Sequence, residues 1–238
     1  MVNLQENIEI VREKITEAAR AAGRDGGDIA LELAVKTQTA KTCRAAALAL
    51  AAAKLPVLLG HNRVQEAEGT IAAIRDAQVG AKVSLIGPLQ SNKINPALRC
   101  FDEIETVATA RLAHKLAERW GDEDDPLSVL IQVNTSEEPT KSGCARSAAV
   151  DLAFEIAELA ELRLSGFMTI GAHTSNQQKV RESFEKLRQI RDIVADSGRF
   201  GTENATALSM GMSGDMDLAI ACGSTRVRVG TAVFGARR

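Results

Sequence analysis

ALELAVKTQTAKTCRAAALALAAAK, residues 30–54, sets a strand beside a helix. Apolar and polar residues alternate over 30–37, the period of a half-buried strand, and the Ala-rich run over 40–54 has helical spacing. The same unit recurs along the chain. PVLLG (56–60) precedes a helical pattern over 62–78, and KVSLIG (82–87) a short helix near 91–99. EIETV (103–107) precedes a helix over 109–120, LSVLIQVN (127–134) one over 146–161, and LRLSGFMTI (162–170) a long amphipathic one over 175–196. ALSMG (207–211) leads into the helical DMDLAIAC (215–222), and RVRVG (226–230) is the last strand. An extra helix over 3–22 stands in front, with Leu4, Ile8, Val11, Ile15 and Ala18 at helical spacing and Gly23 and the Gly26–Gly27 pair to stop it. Strict alternation implies a parallel sheet. Eight strands in 238 residues, each but the last followed by a helix, favour an α/β fold of one (β/α)8 TIM barrel as a single domain over 1–238. No G-x-G-x-x-G follows any strand, which weighs against an open, doubly wound dinucleotide-binding sheet.

Composition removes several classes of function. Hydrophobic residues at 45% and charged ones at 25% are those of an ordinary globular chain, so disordered and fibrous classes are out. A net charge of -2 leaves no electrostatic footprint for nucleic acid or an acidic membrane, and 3% aromatics make no base-stacking platform. Cys43, Cys100, Cys144 and Cys222 form no C-x-x-C pair, which argues against zinc and thioredoxin-type sites and for a reducing, cytoplasmic compartment. The opening MVNLQENIEI lacks the basic flank and apolar run of a signal peptide, and the longest apolar stretch, Ala45–Ala53, is too short to span a bilayer. His61, His114 and His173 show no metal spacing, and His114 is expected at the surface. GMSGD (211–215) is not a G-x-S-x-G elbow. Ser183 and Lys186 have the S-x-x-K spacing but lie mid-helix, where a solvated face is expected.

Strand alternation sorts the polar groups by face. Glu32, Ala34 and Lys36 oppose the apolar Leu31, Leu33 and Val35; Leu130, Gln132 and Asn134 oppose Val129, Ile131 and Val133; Arg226, Arg228 and Gly230 oppose Val227 and Val229. These polar residues crowd the C-terminal end of the strands, where a barrel of this kind carries its active site. Buried polar groups are costly unless paired with each other or with a ligand. One reading is an internally paired layer, Glu32 with Lys36 or Arg226; the other is a bound ligand. A lysine in a low-dielectric pocket has its charged form disfavoured, and the neutral amine forms Schiff bases with aldehydes and ketones, which singles out Lys36. The glycine-rich turns SMGMSG (209–214) and RVGTAVFG (228–235) suit an anionic partner through backbone N–H groups. Gly230 and Gly235 have P-loop spacing, but Ala236 and Arg237 stand where Lys and Ser or Thr are needed and no helix is expected there, so nucleotide binding is rejected.

Several segments, taken in order, resemble the YggS/PROSC family of pyridoxal 5′-phosphate-binding proteins, also called pyridoxal phosphate homeostasis proteins. They are LAVKTQ (33–38), GHNRVQE (60–66), LIGPLQSNKI (85–94), IQVNTSEEPTKSG (131–143), GFMTI (166–170) and LSMGMSGDMDLAIACGSTRVRVGTAVFGAR (208–237). The resemblance implies the barrel shared with the N-terminal domain of alanine racemase. It implies a Schiff base between Lys36 and the aldehyde of pyridoxal phosphate, with Ser209, Met210, Gly211, Gly230 and Thr231 around the phosphate. It also implies Arg228 at the pyridine nitrogen and Asn62 near the ring. His61 replaces the glutamate of the family's G-E-N, Val83 and Ser84 replace an aromatic residue and a histidine, and Val35 replaces a serine. These departures are expected to alter the pocket rim or the affinity. The implied role is a monomeric, non-catalytic carrier that buffers pyridoxal phosphate and delivers it to apo enzymes. Racemases on this barrel use a tyrosine from a second β domain; this chain has no tyrosine and ends eight residues after its last expected strand. A weak racemase or transaminase pairing Lys36 with a histidine is one alternative. A cofactor-free Schiff-base aldolase is another.

Overall fold

The computed structural model describes residues 3–121, 125–138 and 140–235. Its strands are β1 (Ala30–Ala34), β2 (Leu58–His61), β3 (Lys82–Leu85), β4 (Glu103–Val107), β5 (Leu127–Asn134), β6 (Cys144–Ala145), β7 (Leu162–Met168), β8 (Ala207–Ser209) and β9 (Arg226–Val229). Neighbours run β4-β3-β2-β1-β9-β8-β7-β5, and β4 also pairs with β5, so eight parallel strands close on themselves. The two-residue β6 merely flanks the end of β5. This is the expected (β/α)8 barrel.

Outward residues of the strands make the main core. Leu31, Leu33, Val35, Leu59, Val83, Ile104, Val129, Ile131, Val227 and Val229 are all buried against the surrounding helices. The front helix Leu4–Ala21 is capped by the Asn3 side chain and buries Ile8, Val11, Ile15 and Ala19. It packs on the helices Met216–Ala221 and Thr231–Phe234, and Asn7 Nδ2 donates to Val233 O at 2.8 Å. The first and last segments of the barrel are thereby joined.

Several elements depart from the sequence pattern for local reasons. The helix over 62–78 is two short ones, Val64–Glu68 and Ile71–Arg75, because Thr70 Oγ1 bonds back to the carbonyls of Glu66 and Ala67 and competes with the helix ladder. A four-residue helical turn, Thr231–Phe234, does follow the last strand, between Gly230 and Gly235. Ala236 and Arg237, the other half of the P-loop comparison, lie outside the described residues. Ser183 is buried rather than solvated; its Oγ donates to Val180 O at 2.7 Å and accepts from Ala172 N–H at 3.2 Å. His114 is exposed and bonds to Glu155 at 2.9 Å. His61 is not at a pocket rim. It points outward from β2 into the helix layer, fully buried, with Nε2 3.1 Å from Thr70 Oγ1 and its ring edge-on to Phe101. Val83 and Val35 lie in the same outer layer, whereas Ser84 faces the barrel interior.

Two bulges set the inner face. Val129 and Leu130 of β5 pair with Leu164 and Gly166 of β7, which leaves Ser165 as an extra inward residue, and a second shift separates Ile104 from Val107 on β4. Gly166 has φ 151, and a Cβ there would lie 2.1 Å from Ala207 O of β8. Gly166→Ala is therefore expected to cost roughly 3 kcal/mol by forcing β7 and β8 apart. Gly214→Ala, whose Cβ meets nothing within 4 Å, is the control. Equal urea midpoints for the two variants would refute this.

Burial pulls the His61 imidazole down to about 4. The unfolded chain takes a proton on His61 below pH ~6.5, while the folded chain refuses it until about 4, so stability is full above that window and is lost as pH falls through it. In urea titrations at pH 7 and pH 4.5, His61→Gln is expected to remove up to ~3 kcal/mol of the parent's acid sensitivity. An unchanged pH slope would mean that His61 titrates normally.

Candidate functional site

The inward positions of β1, β4 and β9 fill the barrel with charge. Arg226 Nη1 pairs with Glu103 and donates to Glu105 Oε1 at 2.6 Å, and Ser128 Oγ donates to the other oxygen of Glu103 at 2.8 Å. One inward step toward the C-terminal mouth, Arg228 donates from Nη1 to Ser209 Oγ at 2.6 Å and from Nη2 to Thr169 O at 2.7 Å. Ser209 Oγ donates to Glu105 Oε2 at 2.5 Å. Glu32 lies beside Arg228 in the β1–β9 register, is 0% exposed, and has no hydrogen-bond partner on either carboxyl oxygen among the described residues.

Each group's charge follows from its surroundings. Burial, and then the Glu105 charge, push the Glu32 carboxyl well above the carboxylate range, against the pull of Arg226 and Arg228. Burial pushes Glu105 up too, but Arg226, Arg228 and the Ser209 hydrogen bond outweigh it and hold it below its usual value. Burial lowers Arg226, and the charges of Glu105 and Glu103, which it bonds, more than reverse this. Two guanidiniums thus face two carboxylates and one neutral acid. The layer is internally paired, but Arg226 is bonded to Glu103 and Glu105, and the pairs expected between Glu32 and Lys36 or Arg226 are not the ones formed. Glu103 and Glu105 were absent from the sequence reading, although the alternation in EIETV puts both on one face.

The mouth carries the other expected residues. Lys36 is half-buried in the turn directly after β1, where Thr37 takes φ 64, a left-handed conformation costly for a β-branched residue. Gly230, at the end of β9, lies against the end of β1: a Cβ there would be 3.3 Å from Ala34 O. Thr231 is exposed and opens the last helical turn. Val233 and Phe234 N–H groups fold back on Gly230 O at 3.0 and 2.9 Å, which leaves the Thr231 and Ala232 N–H groups without an acceptor inside the turn. Met210 and Gly211 are buried and pair with β9, Met210 N–H to Arg226 O at 3.1 Å and Arg228 N–H to Gly211 O at 2.9 Å. The strands β1, β8 and β9 thereby bring Lys36, Ser209, Met210, Gly211, Arg228 and Gly230 to one side of the barrel. Asn62 stands next along, half-buried after β2, which binds the end of β1 through Val35 N–H and Gly60 O at 2.9 Å. It opens onto a cleft of about 800 Å³ shared with Arg63, Glu66, Gln90 and Lys93.

Asn134 does not join this group. Its Nδ2 donates to Glu138 O at 2.8 Å and its Oδ1 accepts from Ser136 and Glu137, so it orders its own loop. Gln132 is buried and reaches Ser142 O at 3.4 Å. The four cysteines are free and buried, and burial pushes the Cys43 and Cys144 thiols up to about 11, which makes them poor nucleophiles near neutral pH. Among the described residues no group of three or more His, Cys, Asp or Glu side chains is placed to hold a metal, and no helix is long and apolar enough to cross a membrane.

Comparison with known proteins agrees with the fold. Residues 3–238 match the family model described as the alanine racemase, N-terminal domain. The pyridoxal phosphate homeostasis protein of Escherichia coli (strain K12) is 42% identical over 239 residues, spanning 100% of this chain and 98% of that protein. A crystal structure of an unknown protein from Bifidobacterium adolescentis superposes with a TM-score of 0.90 at 38% identity, covering 97% of this chain and 94% of the other. The structure of PipY from Synechococcus elongatus PCC7942 with PLP bound superposes at 0.81 with 27% identity, covering 98% and 100%. The chain belongs to the pyridoxal phosphate homeostasis protein family, on the barrel of the alanine racemase N-terminal domain.

Proposed function

We propose that this protein binds pyridoxal phosphate covalently on Lys36, buffers it, and delivers it to apo enzymes that depend on it. The observation that carries the reading is the juxtaposition of the half-buried Lys36 just after β1, one immobilised guanidinium one residue before the end of β9, and the Gly230 turn between them. The donor set fits the cofactor. It offers an amine for the aldehyde, a fixed cation beside a ring nitrogen, and backbone amides at Gly230 and Thr231 for a phosphate. Pyridoxal phosphate would supply an aldehyde for the Lys36 amine, condensing to a Schiff base with loss of water. The turns that carry Ser209, Met210, Gly211, Gly230 and Thr231 would hold its phosphate, and Asn62 would stand near the ring.

Arg228 sets the character of the site. Its permanent charge opposes protonation of a ring nitrogen placed against it. An unprotonated ring withdraws electrons weakly, which suits storage better than carbanion chemistry. The sequence has no tyrosine to serve as a second base. A racemase reading would rest on His173, which is exposed in a cleft with Met212, Gly214 and Asp215 on the loop after β7. His61 is buried in the helix layer and His114 bonds to Glu155 on the exterior, so neither is available. The full reading is a monomeric, cytoplasmic carrier; the location is supported by four free, buried cysteines.

The purified protein is expected to be yellow, and borohydride should fix the cofactor mass on the peptide that holds Lys36. Lys36→Ala should lose both colour and label yet keep its thermal midpoint, because one half-buried side chain at the mouth contributes little to the core. A colourless protein that takes up no added pyridoxal phosphate would favour the aldolase. Turnover of D- or L-amino acids at ordinary enzyme rates, ~1–1000 per second, would replace the carrier with a racemase.

A further inference from the structure

The chain Arg228–Ser209–Glu105 fixes where its protons lie. A serine hydroxyl has one hydrogen to donate, and a guanidinium has donors only. Arg228 Nη1 stands 2.6 Å from Ser209 Oγ, so Ser209 must accept from it. Its single hydrogen then goes to Glu105 Oε2 at 2.5 Å. Glu105 receives it as a carboxylate, since its other oxygen takes Arg226 Nη1 at 2.6 Å. Ser209 is 0% exposed and Glu105 is 0% exposed. No hydrogen of the Ser209 hydroxyl remains for a ligand phosphate.

We infer that Glu105 and Ser209 are positioning residues that aim the Arg228 guanidinium at the ring end of the ligand, and that the Ser209 hydroxyl makes no contact with the phosphate. The inference rests on the pyridoxal phosphate reading above. Ser209 holds Nη1 and Thr169 O holds Nη2, which fixes both the plane and the direction of the guanidinium. Charge-assisted bonds of this kind are short and directional, and losing one leaves a buried cation with a missing acceptor. Glu105 bridges the two arginines, so its carboxylate also keeps Arg226 and Arg228 from repelling one another across the barrel. The phosphate is left to backbone amides of the turn at Gly230 and Thr231, which follows the end of β9 and makes no bond to Ser209 Oγ.

The test compares pyridoxal phosphate with pyridoxal, which has the same ring and aldehyde without the phosphate. Binding of each to the full-length apo protein is followed by absorbance for the parent, Ser209→Ala, Ser209→Thr and Glu105→Gln. Ser209→Ala and Glu105→Gln should each weaken both ligands by about tenfold, leaving the ratio of their affinities unchanged. The double variant should be no worse than either single, and Ser209→Thr, which keeps the hydroxyl, should bind like the parent. Arginine side-chain 15N spectra of the apo protein give a readout without ligand: Arg228 signals that are separate in the parent should average in Ser209→Ala. If Glu105→Gln fails to fold, Ser209→Ala and the spectra decide alone. A loss confined to pyridoxal phosphate would overturn the inference and make Ser209 a phosphate ligand. Unchanged affinities and spectra would overturn it as well. Should the parent bind neither ligand, the pyridoxal phosphate reading fails by itself, while the apo spectra still report on the positioning pair.

Discussion

Two guanidinium groups inside a closed barrel are the constraint around which this structure is arranged. An ion moved from water to a protein interior loses several kcal/mol of solvation even after relaxation. Arg226 and Arg228 stand one inward step apart on β9, so each also repels the other. Glu105 answers both problems with one carboxylate, bonded on one oxygen to Arg226 and on the other to the Ser209 hydroxyl that Arg228 leans on. Glu103 supplies the second negative charge. Glu32, squeezed between Arg228 and the backbone of Gly60, completes the layer as a neutral acid. Gly60 is itself part of the solution: a Cβ there would come within 2.8 Å of Glu32 Oε1.

The polar layer divides the molecule by depth. Below it the paired groups fill the barrel and close it. Above it the strands give way to turns, and the unpaired chemistry begins: the Lys36 amine, the amides after Gly230, and Asn62 at the edge of its cleft. Arg228 belongs to both regions. It is 5% exposed and bonded from beneath, yet it is the last inward residue of its strand before the mouth. A side chain anchored in this way needs no ligand to hold its orientation, which is what preorganisation of a binding site requires.

Much of this was legible in the sequence because alternation is a strong signal where one face is apolar. Leu31, Leu33 and Val35 against Glu32 and Lys36, and Val227 and Val229 against Arg226 and Arg228, kept their faces in the barrel. Where the period breaks, the sequence says little. The extra residue Ser165 and the shift between Ile104 and Val107 depend on pairing with β5, a contact between segments distant along the chain. Resemblance to the family's G-E-N turn suggests that His61 alters the pocket rim or the affinity, but it falls on the outward parity of β2, as Leu59 does, and the strand geometry carries it into the helix layer. Asn134 kept its inward parity at the end of β5, yet the loop that follows it offers closer partners than any ligand. The partners of Arg226 could have been sought in EIETV, but which of the three inward acids it takes depends on the register across the barrel.

The same geometry bears on why the site would store a cofactor and not exploit it. A protonated ring nitrogen makes the ring a stronger electron sink, and a carboxylate beside that nitrogen favours the protonated form. Under the proposed reading that position would be held by the Arg228 cation, which is bonded through Ser209 to the Glu105 anion one step deeper. The negative charge of Glu105 is present in the barrel, but Ser209 and Arg228 stand between it and the mouth, so the ligand would meet the wrong end of the pair. Reversing this polarity would require moving the carboxylate up one inward position. That would take from Arg226 one of its two carboxylates, leave Glu103 to balance it alone, and weaken the compensation that Glu105 gives both arginines.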